Sequence, residues 1–236
     1  MRAMTGTRLA CGLGALVVLT AGCVTTTDGT AKSADTSQSS SSAPTKAGRP
    51  DSPLERFLLS VDDVNGVMGT SDIELAGSSN DMSDHRSDIS DPQCLGALYN
   101  AEQAVYEKTG WTDVVDQVLT EPEDDSSHWV EQTVVQLPSA AGANKFRDAS
   151  FEQWMDCIGK TVLVDDGDYE FRWQFEGIAS VDGTVSQTAR QTDSDGWACQ
   201  HALSAVDAYV VEATVCGSEL KEEAVAVVGR LVANVK

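Results

Sequence analysis

Positive charge is scarce in this chain. Of 236 residues only 16 are Lys or Arg against 37 Asp or Glu, and the formal net charge is −21. Such a body repels a phosphate backbone or an anionic lipid surface, so nucleic acid is excluded as a partner. Histidine is scarcer still, with His85, His128 and His201 the full set. No apolar run reaches the roughly 20 residues that a membrane-spanning helix needs. There is no G-x-S-x-G elbow and no His-Glu-x-x-His. Gly159-Lys160-Thr161 lacks the upstream glycine of a phosphate loop. The cysteines include no C-x-x-C knuckle, which argues against structural zinc. These absences leave no recognisable catalytic, metal or cofactor motif.

The N-terminus is informative. Arg2 and Arg8 precede a short apolar stretch, LACGLGALVVL, which runs into Leu19-Thr20-Ala21-Gly22-Cys23. A basic start, a short apolar segment and small residues before a cut site define an export signal. The residue at the cut is cysteine, and the pattern resembles a bacterial lipobox. The expectation is that residues 1–22 are removed and Cys23 carries lipid, which anchors the protein on the extracytoplasmic face of the cell membrane. Residues 23–53 follow as a Ser/Thr/Ala/Pro-rich leash whose composition cannot build a core. Residues 54–236 carry the globular pattern.

Within that domain Ser60 predicts an N-cap for a short helix that Gly69 stops, and Asp91-Pro92 opens a second. Residues 70–90 predict an irregular polar excursion with one strand at most. HWVEQTVVQL at 128–137 alternates as a strand. Ser139 predicts a helix through Phe146, and Ser150-x-x-Gln153 caps a separate one. Asp182-Gly183 marks a hairpin, and a second hairpin turns near Asp207. An amphipathic helix with Val227, Val228 and Leu231 closes the chain. The sum is an α+β domain built on an antiparallel sheet.

With Cys11 in the signal and Cys23 lipidated, four cysteines remain for two disulfides in an exported domain. Cys199 and Cys216 are symmetric about the turn near Asp207 and face each other across that hairpin, which leaves Cys94 with Cys157. The acidic runs at 121–125 and 165–168 lack ordered calcium-loop spacing and read as solvated turns. Five tryptophans are spread over separate segments. Trp173 and Trp197, with Arg190 and His201 as polar partners, are the candidates for lining a cleft.

Several stretches in one order, LLSVDDVNGVMG, QCLGALYNAEQAVYEKTGW, EQTVVQLPSAAGANKF and WMDCIGKTV, followed by the late cysteine pair, resemble the PknH-like extracellular sensor domains of mycobacterial serine/threonine kinases and of actinobacterial lipoproteins. The resemblance implies the same disulfide pairing, a twisted antiparallel sheet flanked by helices, and a large cleft for an extracellular ligand. Neither a kinase domain nor a membrane-spanning run is present in these 236 residues, so it implies the fold and not signalling across the membrane. The expected function is non-catalytic binding of an unidentified small molecule or envelope component. The alternatives are an envelope hydrolase or other envelope enzyme with a dispersed site, and a protein-interaction module. Cofactors and metals are not expected, and the oligomeric state is not set by the sequence.

Overall fold

The computed structural model describes residues 52–122, 127–165, 167 and 169–236. The export signal, Cys23 and nearly all of the leash lie outside the described residues, as do parts of both acidic runs.

Among the described residues, eight strands form one sheet in the order β1-β2-β3-β8-β7-β6-β5-β4. They are β1 (Glu74–Ser79), β2 (Asp113–Thr120), β3 (His128–Gln136), β4 (Thr161–Asp165), β5 (Glu170–Val181), β6 (Thr184–Gln191), β7 (Ala198–Val206) and β8 (Tyr209–Gly217). Every neighbouring pair is antiparallel. Two tight turns set the register of the second half. Asp182 and Gly183 both take positive φ, 51° and 83°, as a two-residue hairpin turn of the right twist requires, and Asp207 does the same at 49°.

Among the described residues, five α-helices flank the sheet: α1 (Val61–Met68), α2 (Leu95–Leu98), α3 (Gln103–Tyr106), α4 (Ala140–Met155) and α5 (Glu223–Val235). Alternation along the strands gives each face its own core. On one face Val115, Val130, Val134, Val211 and Val215 meet Val64 of α1 and Val227, Val228 and Leu231 of α5. On the other, Val114, Val135, Leu203 and Val210 meet Leu95, Tyr106, Phe146 and Trp154 from α2, α3 and α4. Helices therefore cover both faces, and β7 and β8 at the centre are buried almost throughout.

One expectation changes, and two strands, β2 and β4, stand where the sequence predicts none. The segment 140–155 is one helix rather than two: the Ser139 hydroxyl accepts from the Gly142 amide at 3.1 Å, while Ser150 is buried in mid-helix and caps nothing. No glycine or proline stands between Phe146 and Ser150, so nothing interrupts the hydrogen-bond ladder. β2 is a full strand that the polar residues Asp113, Asp116 and Gln117 disguise in the sequence. β4 is a short strand at the sheet's far edge, opposite β1. The two disulfides are Cys94–Cys157 and Cys199–Cys216, as the hairpin symmetry and the resemblance both imply.

Candidate functional site

The face that carries α2, α3 and α4 is not fully covered. Strand register puts Trp129, Cys216 and Cys199 side by side across β3, β8 and β7, with their side chains on this face. They floor a cavity of about 550 Å³ together with Thr214. One wall is Trp173 and Phe171 of β5, Val164 of β4 and Trp197 just before β7. The opposite wall is Leu98 and Tyr99 at the end of α2, with His85 and Asp88 from the excursion after β1. Its size falls within the range of small-molecule sites, which are mostly apolar with a few polar groups.

The excursion that supplies His85 and Asp88 is held at both ends. The Ser83 amide donates to the Ala101 carbonyl at 3.0 Å, and the Gln103 amide donates to the Ser83 carbonyl at 2.8 Å. Farther on, the Ser90 amide donates to the Leu163 carbonyl and the Asp165 amide to the Asp88 carbonyl, both at 2.8 Å, which fixes this wall to β4. The Cys94–Cys157 bridge ties the turn before α2 to the end of α4, and the Lys160 ammonium meets the Asp91 carboxylate at 2.9 Å beside it. His85 itself is clamped: its Nδ1 lies 2.5 Å from Glu102 Oε1, its amide donates to Glu102 Oε2 at 3.1 Å, and its ring stacks on Tyr99 at 4.5 Å. The Glu102 hydrogen bond raises the His85 pKa above the ordinary imidazole value, against the opposing effect of burial.

Below the cavity the same face carries a buried polar layer. Thr214 donates to Asn100 Oδ1 at 2.8 Å, Asn100 Nδ2 donates to Thr133 Oγ1 at 3.1 Å, and Thr133 donates in turn to Asp116. Glu212 accepts from the Tyr106 hydroxyl at 2.6 Å and meets His201 Nε2 at 3.1 Å. Burial raises the Asp116 pKa to about 6, and burial followed by the neighbouring Asp116 carboxylate raises that of Glu131 well above its usual range. Two carboxyls this close in a low dielectric share a proton rather than both ionise.

The four cleft candidates separate. Trp173 and Trp197 both line the cavity. His201 shares a face with Cys199 but lies under Trp154, whose ring is 4.6 Å away, and is 1% exposed. An imidazole so covered cannot reach a substrate. Arg190 is paired with Ala198, one residue out of phase with Trp197 and Cys199, so it projects from the opposite face, where it meets Glu176 at 2.9 Å. Proximity along the chain suggests a place beside the cleft, and the two-residue period of the strand takes it away. Trp129, Tyr99, His85 and Asp88 complete the lining without a sequence signal that points to them. The pairing of Trp129 with Cys216 follows only from the β3–β8 register, and the excursion around His85 has no periodicity to interpret.

The family model of the PknH-like extracellular domain matches residues 50–234. This chain belongs to that family. The PknH-like assignment agrees with curated relatives: the serine/threonine-protein kinase PknH of Mycobacterium bovis is 34% identical over 182 residues, which cover 77% of this chain and 30% of the kinase. PknH of Mycobacterium tuberculosis is likewise 34% identical over 182 residues, 29% of its length. The chain thus spans about 30% of the length of the kinases it matches. The crystal structure of the PknH extracellular domain from Mycobacterium tuberculosis superposes with a TM-score of 0.74 at 33% identity, covering 77% of this chain and 93% of that one.

Proposed function

We propose that this protein is a lipid-anchored, extracytoplasmic ligand-binding lipoprotein, sensor-like and non-catalytic, whose PknH-like domain captures a small molecule in the aromatic cavity. The observation that carries the reading is the cavity itself. Five aromatic side chains, Tyr99, Trp129, Phe171, Trp173 and Trp197, line one open space and remain half-buried. Aromatics left facing solvent in this number mark a binding surface more often than a core. Both walls are fastened by the Cys94–Cys157 bridge and the hydrogen bonds to β4, so the fold itself supports the lining. Membership in a family of extracellular domains supports placing that cavity outside the cell, and the lipobox supports attachment to the membrane through Cys23.

The test is to denature the purified full chain and identify what it releases by mass spectrometry, beside a Trp173→Ala/Trp197→Ala double variant. A small molecule released by the parent and depleted about ten-fold from the variant is expected. Identical or empty extracts would remove the cavity reading. Turnover of an envelope substrate by the parent chain, lost in the Trp173→Ala/Trp197→Ala variant, would overturn the non-catalytic part.

A further inference from the structure

The chemical class of the occupant follows from the charges that the cavity offers and those it lacks. Among the described residues that line it, none is Lys or Arg, and the side chains that ionise near neutral pH are Asp88 and His85. His85 is already matched by the carboxylate of Glu102, which is fully buried behind it, so that pair adds no net positive charge. Asp88 remains, half-buried at the same wall, inside a protein whose formal charge is −21. Its Oδ1 accepts from the neutral Ser87 hydroxyl at 2.8 Å, and its charge adds to those of Glu102 and Asp84 around the single imidazole of His85, so this wall is net negative. Three indoles, a phenol and a phenyl ring share the cavity lining. An anion entering this space would lose its hydration with no unpaired cationic side chain to replace it. A cation would gain aromatic faces, a carboxylate, and attraction from the whole acidic body.

We infer that the aromatic cavity is a site for a small organic cation, a quaternary or tertiary ammonium carried on an apolar body, with the indoles of Trp129, Trp173 and Trp197 and the carboxylate of Asp88 as its recognition elements. This deepens the proposed ligand-binding role and rests on it. The volume of about 550 Å³ exceeds what a bare ammonium group fills, so the apolar part of the molecule occupies the rest of the lining, which includes Leu98 and Val164. A compact, weakly hydrated ammonium is favoured over a metal ion. The cavity supplies π-faces and a single carboxylate rather than a shell of oxygens, and no metal-holding cluster of His, Cys, Asp or Glu occurs among the described residues.

The experiment compares three probes of similar shape by equilibrium dialysis and tryptophan fluorescence on the purified full chain: benzyltrimethylammonium, its uncharged isostere neopentylbenzene, and the anion phenylacetate. Each is measured against the parent, Trp173→Ala and Asp88→Asn, with thermal unfolding of the variants as the check on folding. Trp197→Phe serves as a conservative second variant. The expected result is binding of the ammonium about ten-fold tighter than its isostere, weakened about ten-fold by Trp173→Ala and several-fold by Asp88→Asn. Equal binding of cation and isostere, both lost in Trp173→Ala, would overturn the cation and leave the cavity in place. Tighter binding of phenylacetate would also overturn it. Ammonium binding that neither variant changes would place the cation on the acidic surface and refute the site. Absence of binding by all three probes would refute the inference.

Discussion

At the scale of single residues, the buried carboxyl layer and the His85 clamp make stability depend on pH. Asp116 and Glu131 have pKa values raised by burial, Asp116 to about 6. The folded state therefore holds protons that the unfolded chain has released, and stability falls as pH rises from about 4 through 6 and above. Replacing Glu131 by Gln keeps a group that donates to Asp116 and removes one titration. The variant is expected to gain about 1–3 kcal/mol at pH 8 relative to the parent and to show a flatter profile between pH 5 and 8. Denaturant unfolding at a series of pH values measures it, and parallel curves would count against the shared proton. His85 acts through its charged form instead. Its raised pKa means that the pair with Glu102 stabilises the fold fully below about pH 6.5, the ordinary imidazole value, and that the contribution is lost as pH climbs through the raised value. The ring is 39% exposed, so solvent screens the pair to under about 1 kcal/mol. His85→Gln is expected to lower the unfolding midpoint at pH 5.5 and to leave it nearly unchanged at pH 9. A uniform loss at both would assign His85 a packing role instead.

At the scale of elements, the two disulfides differ in what they hold. Cys199–Cys216 joins strands already hydrogen-bonded through the hairpin, over a separation of 17 residues. Cys94–Cys157 spans 63 residues and connects a turn to the end of α4, two pieces far apart in the chain. By the chain-entropy model the longer loop contributes about 4 kcal/mol and the shorter about 3. Removing the first pair, Cys94→Ala with Cys157→Ala, should also loosen the wall of the cavity beside α2. The expected outcome is a loss of about 4 kcal/mol with faster amide exchange at 84–99, whereas the Cys199→Ala/Cys216→Ala variant should keep that segment protected. Equal exchange in both variants would contradict this division. The elements with strong local signals are legible in the sequence: α1 from Ser60 and Gly69, the two hairpins from Asp182-Gly183 and Asp207, α5 from its apolar stripe. β2 is not, because its Asp116 and Gln117 look solvent-facing in sequence. Asp116 is in fact turned into the polar layer toward Thr133, and Gln117 accepts from Gln132 Nε2 at 3.3 Å. Ser150 has the side chain of a helix cap, but burial in mid-helix puts it in the core and leaves α4 unbroken.

At the scale of the whole molecule, the proposed tether is Cys23, which closes the lipobox-like stretch. The Cys23→Ser variant is expected to lose the lipid adduct by mass spectrometry of the intact protein and to leave the membrane fraction. Its retention in membranes would shift the anchor elsewhere. Fold class, disulfide pairing and family can be drawn from the sequence because hairpin turns, capping residues and cysteine spacing are local or short-range signals. Trp173 and Trp197 can be nominated as large aromatics near a meander, but nothing local distinguishes them from Trp154, which is 1% exposed in the core. By itself, then, the sequence determined an acidic, disulfide-paired α+β domain preceded by a lipobox-like stretch. Tertiary structure alone decided that Trp129, from a strand far earlier in the chain than Trp197, lines the same cavity, that Arg190 points to the other face, and that His85 closes the wall. Those placements depend on the pairing of β3 with β8 and on the anchoring of an aperiodic excursion to β4. Strand partners distant in sequence leave no local trace, since the free energy that selects them comes from burying two whole faces of the sheet at once.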